Sequence, residues 1–419
     1  MVNSWIIVLL VLAAFAIALV LYPFILRFAI RHEIFDNPGY RKLQRVPVPV
    51  MGGLTIFSGL CISGIIAFFI FKDVRLLWVC GFLLVMLAVG MWDDIKDLSA
   101  YIKFAMEIVV VWSIMFFMDI HIDDFHGLWG VYKISEVLSV AISLVAGVGI
   151  INAINLIDGV DGYCSFYGMM ACTAFGITFF LAGDTAMGAL CFIMVGALIP
   201  FFVHNVFGVT SKMFLGDGGS LVLGTMLTIC LFAMLSSGSQ CVVLDWSGIS
   251  LVALALAILA VPVFDTLRVM TVRVIHGRSP FSPDKTHLHH LFIDLSFSHA
   301  GTSISIVTGN FLIVLLELVL WKAGVSPTWQ VYTVAAAGIL LTCVFYYILV
   351  IEGRKNNGEG SSLYKRFCGV GLKTHIHHTS FWKTFHWIAD RVLSVNGRQK
   401  DADEVRPLNY TRPDPRIPL

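Results

Sequence analysis

An all-α, polytopic membrane fold of about eleven helices is what three features of this 419-residue chain predict. Apolar residues make up 58% of it and charged residues only 13%, against roughly 25% charged in an ordinary soluble domain. Apolar runs recur from end to end, each long enough to cross a hydrocarbon core of about 30 Å, which takes roughly 20 helical residues. Basic residues sort onto alternate loops between those runs. A net charge of +1 supplies no field for nucleic acid, so no nucleic-acid partner is expected. Nine cysteines without Cys-x-x-Cys spacing read as small core residues rather than a disulfide framework.

The runs fall at 4–30, 51–71, 76–92, 104–119, 136–154, 164–182, 186–204, 218–236, 249–271, 302–321 and 331–351. The first exceeds a signal-peptide core of about 7–15 residues, and no small-residue cleavage site follows it, so it is expected to stay as a helix. With the N-terminus outside, one set of loops carries Arg27, Arg31, Arg41, Lys42, Arg45, Lys96, Lys103, Lys212, Arg268, Arg273, Arg278 and Lys285. The other set carries Lys72, Arg75, Lys133 and Lys322. The rule that basic loops stay in the cytoplasm makes the first set cytoplasmic, with the N-terminus out and the C-terminus in. The expected division is a transmembrane domain over 1–351 and a cytoplasmic tail over 352–419, beginning where the composition turns polar at 352–357. Within the tail, Phe381, Phe385, Ile388 and Val392 recur at helical spacing and suggest a helix on the membrane face. The last stretch, rich in Pro, Asp and Arg, reads as disordered.

Ionisable residues at the ends of membrane helices usually mark function, and five polar clusters fall on the predicted cytoplasmic side. Asp36-Asn37-Pro38-Gly39-Tyr40-Arg41-Lys42, continuing to Pro47-Val48-Pro49-Val50-Met51-Gly52-Gly53, has the Pro and Gly of an ordered re-entering loop, or of a basic loop on anionic lipid. Asp93, Asp94 and Asp97 precede Lys103; a helix would put Asp93 and Asp97 on one face. Three carboxylates so close call for a divalent cation or a basic group, unless they form a solvated helix end. Asn152, Asn155 and Asp158 make one polar stripe that runs into Gly159-Val160-Asp161-Gly162, a helix break or, alternatively, a packing seam. Asp217-Gly218-Gly219-Ser220 opens an apolar run, as an N-cap or as a carboxylate beside a metal-bound phosphate. Ser282-Pro283 predicts the start of a short helix carrying His287, His289 and His290, with His287 and His290 on one face. Structural zinc sites use other spacings, and donors to a diphosphate suit this basic loop better. A near copy at Thr374–His378 lies in the tail and is set aside.

Five such clusters, in this order and on one face over residues 20–320, resemble the polyprenyl-phosphate N-acetylhexosamine-1-phosphate transferase family. The His-Leu-His-His form is similar to its GlcNAc-transferring bacterial branch; the cell-wall branch usually carries three consecutive histidines. The resemblance implies transfer of N-acetylhexosamine 1-phosphate, GlcNAc above others, from a UDP-sugar to undecaprenyl phosphate. UMP would be released and a lipid-linked glycan begun in a bacterial inner membrane. It implies Mg²⁺, with Mn²⁺ as a substitute, held by Asn155 and Asp217. Asp93 and Asp94 match the catalytic acidic pair, and Lys103 a lysine on the carrier phosphate. Asp158 and Asp161 match positions near nucleotide and metal, and His287, His289 and His290 the loop that meets the donor. A homodimer is left as an open expectation. The alternatives are a phospho-MurNAc-pentapeptide transferase and, from another class, an ion-coupled transporter, whose site would lie near the bilayer midplane on broken helices.

Overall fold

A computed structural model of the chain describes residues 4–37, 46–245, 247–280, 285–355, 360–376 and 379–391. Ten helices among them are long and apolar enough to span a membrane, and a bent pair makes an eleventh span. In chain order they are α1 (Ser4–Arg31), α2 (Gly52–Phe71), α3 (Arg75–Lys96), α4 (Ala100–Met118), α5 (Glu136–Leu156), α6 (Tyr163–Ala182), α7 (Thr185–Phe207) and α8 (Gly216–Leu235). The short α9 (Val242–Asp245) precedes the bent pair α10 (Leu251–Ile258) and α11 (Ala260–Ile275). There follow α12 (Leu288–Asp294), α13 (His299–Lys322), α14 (Pro327–Ile339), a π-helical turn at Leu340–Val344, α15 (Phe345–Arg354), α16 (Ser362–Lys373) and α17 (Ser380–Arg391). The small strands β1 (Phe35–Asp36) and β2 (Val48–Pro49) pair antiparallel, as do β3 (Asp124–Leu128) and β4 (Val131–Lys133).

The axis of the bundle is α8. Every residue from Gly218 to Leu235 is buried, as befits a helix apolar all round, and α2, α3, α5 and α6 pack around it. Its first turn approaches α2 and α3 at backbone distance. A Cβ on Gly53 would strike the backbone of Gly218 and Gly219, and one on Gly90 would lie 2.5 Å from the carbonyl of Asp217. Glycine is what lets two helices close onto a third this tightly.

The Pro-Val-Pro-Val-Met-Gly-Gly segment turns out to brace that turn. Phe214 N–H donates to the Pro49 carbonyl at 2.8 Å, Gly52 N–H to the Phe214 carbonyl at 2.9 Å and Gly53 N–H to the Leu215 carbonyl at 3.0 Å. The re-entering loop is therefore a backbone brace for α8; its basic part, residues 38–45, lies outside the described residues.

The ninth span departs from a continuous helix: α10 and α11 meet at 72°. Pro262 cannot donate a hydrogen bond, and α13 supplies what the break leaves open. Asn310 accepts from Val261 N–H at 2.8 Å and donates to the carbonyls of Ala257 and Ile258 at 3.2 and 3.0 Å. In the tail, α17 packs on the end of α7, with Phe381 and Phe385 against Phe207. Asp390 accepts from Ser211 N–H and Oγ–H at 3.1 and 2.9 Å. The tail helix is thus docked on protein through one face. Val392 and the Pro-rich end lie outside the described residues.

Candidate active site

Four helices bring their ends together beside the first turn of α8. Asp93 and Asp94 end α3, Lys103 begins α4, Asn155 ends α5, and Asp217 stands in the first turn of α8. Lys103 Nζ lies between two carboxylates, 2.7 Å from Asp217 Oδ2 and 3.1 Å from Asp93 Oδ2. Asn155 Nδ2 donates to Asp217 Oδ1 at 2.6 Å and to Ser220 Oγ at 2.8 Å. The contacts in this group link residues 10 (Asp93–Lys103), 62 (Asn155–Asp217) and 114 (Lys103–Asp217) positions apart in the chain, yet form one cluster at helix ends rather than mid-helix.

The two adjacent aspartates have different tasks. Asp94 accepts from Asp217 N–H at 2.9 Å and Gly218 N–H at 3.1 Å. It caps α8 from another helix, where the preceding Leu215 offers no side-chain cap. Asp217 is therefore not an N-cap; its carboxylate is left for Lys103 and Asn155. Asp93 is the member of the pair beside Lys103, and its other oxygen accepts from Leu98 N–H at 2.7 Å. The expectation that Asp97 shares its face fails. Helix α3 ends at Lys96, and Asp97 adopts a left-handed φ of 49° and is exposed.

The turn after α5 holds two aspartates in opposite environments. Burial raises the pKa of Asp158 well above the usual carboxylate range, and the negative charges of Asp217, Asp94, Asp161 and Asp36 add to it. Burial also works to raise Asp161, but Lys212 and His299 outweigh it and hold that carboxyl well below its ordinary value. The distances are 2.6 Å from Lys212 Nζ and 2.8 Å from His299 Nδ1. Asp161 is tied to α13 as well, since Ser303 Oγ–H donates to its carbonyl at 2.8 Å.

The histidines gather against this turn. His289 Nε2 stands 2.8 Å from where a Cβ of Gly159 would be, so the glycine is what admits the ring. The rings of His289 and His290 are 4.3 Å apart, and those of His287 and His289 are 5.8 Å apart and nearly parallel at 8°. Burial, then the neighbouring His290 and His287, push the pKa of His289 well down, which favours a neutral imidazole. His287 does not share a helical face with His290: it is the extended residue before α12, and its Nδ1 meets Asp265 Oδ2 at 3.0 Å. The predicted helix start at Ser282-Pro283 lies outside the described residues. From the second histidine tract, His375 Nε2 meets the Ser296 carbonyl at 3.0 Å, while His377 and His378 lie outside the described residues.

Two buried acids beside these clusters escaped the sequence reading. Glu107, fully buried on α4 one turn beyond Lys103, accepts from Asn152 Nδ2, and its other oxygen has no partner among the described residues. Asp265, 3% exposed, pairs with His287 and Arg268. Both are ionisable residues inside apolar runs, the signal that would have found them. Lys212 and His299, by contrast, become legible only through their contact with Asp161.

The donor set suits a hard cation. Carboxylates and an amide oxygen are the groups that bind Mg²⁺, which takes one or two carboxylates and otherwise keeps water and substrate phosphates. Lys103 pairs with Asp93 and Asp217, and beside the burial that chiefly raises Asp158, the negative charges of Asp217 and Asp94 push it further up. Among the described residues no three His, Cys, Asp or Glu side chains form a ready cage, and both oxygens of Asp217 are engaged by Lys103 and Asn155.

Comparison with known proteins adds a family to this geometry. Residues 76–237 match the model of glycosyl transferase family 4. The chain is 28% identical over 317 residues to the undecaprenyl-phosphate α-N-acetylglucosaminyl 1-phosphate transferase of Yersinia pestis, covering 75% of this chain and 84% of that one. It is 27% identical to the Escherichia coli K12 protein of the same name, over 71% of this chain and 79% of that one. A probable undecaprenyl-phosphate N-acetylglucosaminyl 1-phosphate transferase of Bacillus subtilis is 27% identical, over 73% and 83%.

Proposed function

On the premise that residues 76–237 belong to glycosyl transferase family 4, we propose that this multi-pass membrane protein transfers N-acetylglucosamine 1-phosphate from UDP-GlcNAc to undecaprenyl phosphate. The observation that carries the reading is the meeting of Asp93, Lys103, Asn155 and Asp217 from four helices at one end of the bundle. An oxygen of the lipid phosphate attacks the β-phosphorus of the UDP-sugar. A new P–O bond forms, the bond from the β-phosphorus to the bridging oxygen breaks, and UMP leaves with that electron pair.

Both reactants are anions, so the protein's work is chiefly to neutralise charge and hold the groups in line. Lys103 is the ammonium at the centre of the cluster and the residue to receive the lipid phosphate. Asp94 sets the first turn of α8 and with it Asp217, so it acts by positioning. Asp93 holds Lys103 and the chain break after α3. No general base is required, because a phosphate monoester with a second pKa of about 6 is already largely ionised at neutral pH; single displacement follows. Asp217 and Asn155 are the residues to hold Mg²⁺, which when bound would offset charge on the phosphoryl oxygens. Asp158, Asp161 and the His287, His289 and His290 loop form the donor side. The basic-loop bias supports a cytoplasmic face for this site, and the bacterial relatives support a bacterial inner membrane.

The test is UMP release by purified protein with UDP-GlcNAc, undecaprenyl phosphate and Mg²⁺, each omitted in turn. Release should require all three. Folded protein that releases no UMP from any UDP-N-acetylhexosamine would refute the transferase reading and favour the transporter.

A further inference from the structure

The reaction outlined above gives no task to Asp265. This residue lies on α11 just past the 72° bend, with one helical turn separating it from Arg268. Its carboxylate accepts from Arg268 Nη2 at 2.6 Å, from His287 Nδ1 at 3.0 Å and from Leu288 N–H at 3.2 Å. Arg268 is itself held, by donation to the Thr286 carbonyl at 2.6 Å and by its guanidinium 3.7 Å over the ring of Tyr346. A carboxylate beside a guanidinium can only accept, so the proton on the His287 ring sits at Nδ1.

That leaves Nε2 as the ring atom with nothing to do. It is buried and meets no hydrogen-bond partner among the described residues, and neither does the buried Arg268 Nε. An unpaired buried polar atom costs about 1–3 kcal/mol, and here two flank one fully engaged carboxylate. His287 is 4% exposed, and its ring lies parallel to that of His289, which packs on the Gly159 turn. Resting on the proposed reaction, we propose that Asp265 is a positioning residue for His287. By accepting Nδ1–H it fixes Nε2 as the atom offered to the polar head of the sugar nucleotide.

The experiment uses the full-length protein in detergent with Asp265→Asn, His287→Asn, His287→Gln and the Asp265→Asn/His287→Asn double variant. Asparagine at 287 keeps an amide nitrogen where Nδ1 was and removes Nε2; glutamine returns a nitrogen near Nε2. Steady-state UMP release yields KM for each substrate, and calorimetry yields UDP-GlcNAc affinity without turnover. Asp265→Asn and His287→Asn should each raise KM for UDP-GlcNAc on the order of 10–100-fold, as loss of an orienting partner does at ligating histidines. KM for undecaprenyl phosphate should stay within about twofold on the same reasoning. The double variant should be no worse than His287→Asn alone, and His287→Gln should recover part of the loss.

Wild-type affinity in Asp265→Asn, additive losses in the double variant, or an unchanged KM in His287→Asn would each overturn the proposal. If Asp265→Asn does not fold, the two His287 variants decide. Wild-type protein that binds UDP-GlcNAc but releases no UMP refutes the reaction, and calorimetry on the variants still judges the positioning role. No binding by wild-type protein overturns both.

Discussion

At the start of α3, Arg75 reaches Asp73 and Asp184 with all three guanidinium nitrogens, at 2.6 to 3.1 Å. At the far end of the same helix, Lys103 faces Asp93 and Asp217, with Asp94 and Asp158 close enough to Asp217 for their charges to interact. The first network is closed: a planar fork meets carboxylates whose places are set by turns and a helix cap. The second is left with buried atoms that lack partners among the described residues, among them Glu107 Oε1 and His287 Nε2. Closed networks hold a fold together; an open one, where several carboxylates converge on helix ends, marks where a ligand belongs.

Six substitutions sharpen or break that contrast. Asp217→Asn should lower UMP release on the order of 1000-fold, as loss of a main electrostatic contact does. A drop in thermal midpoint instead, with turnover retained, would make the cluster structural. Lys103→Met should lower kcat/KM on the order of 100-fold, with KM for undecaprenyl phosphate rising more than KM for UDP-GlcNAc. Gly53→Ala drives a methyl into the backbone of Gly218 and Gly219. Overpacking of that kind costs about 1–3 kcal/mol, and the shift it forces on Asp217 should reduce turnover as well as stability. Arg75→Met at the closed end should do the reverse. It should lower stability by about 2 kcal/mol, discounted for a side chain 30% exposed, and leave kcat/KM within about twofold.

The smallest effect separates Asp158 from Asp161. Asp158 has its folded pKa raised, first by burial, so above the unfolded value of about 3.9 the unfolded chain loses its proton first. Stability therefore falls as pH rises through the folded pKa, and Asp158→Asn should raise the thermal midpoint at pH 7.5 without divalent cation. Asp161 has its folded pKa lowered by Lys212 and His299 against the effect of burial. Its contribution is present above the unfolded pKa and is lost as pH falls, so Asp161→Asn should lower the midpoint at pH 7.5. Equal shifts of one sign would refute the assignment of opposite environments.

The number and order of spans were legible because a membrane helix must be apolar for about 20 residues, and ten of the eleven runs are single helices. The exception, α10–α11, reads as one run because Pro262 is a weak signal within it and Asn310, which repairs the break, lies about fifty residues on. The polar residues of the site were legible for the converse reason: Asp93, Asp94, Asn155 and Asp217 stand out at the ends of apolar runs. Asp265 and Glu107 were missed because each lies within a run whose average stays apolar.

By itself, then, the sequence determined that the chain spans a membrane about eleven times and where along it the polar groups fall, since hydrocarbon tolerates little else. It could not determine which carboxylate meets which cation. Asp94 caps α8 while Asp93 holds Lys103, and Asp265 rather than a neighbour in the loop orients His287. Those choices are made by groups as much as 124 residues apart, brought to within about 3 Å by helices that close on one another at Gly53 and Gly90. Distances of that kind are set by packing, which no run of residues records.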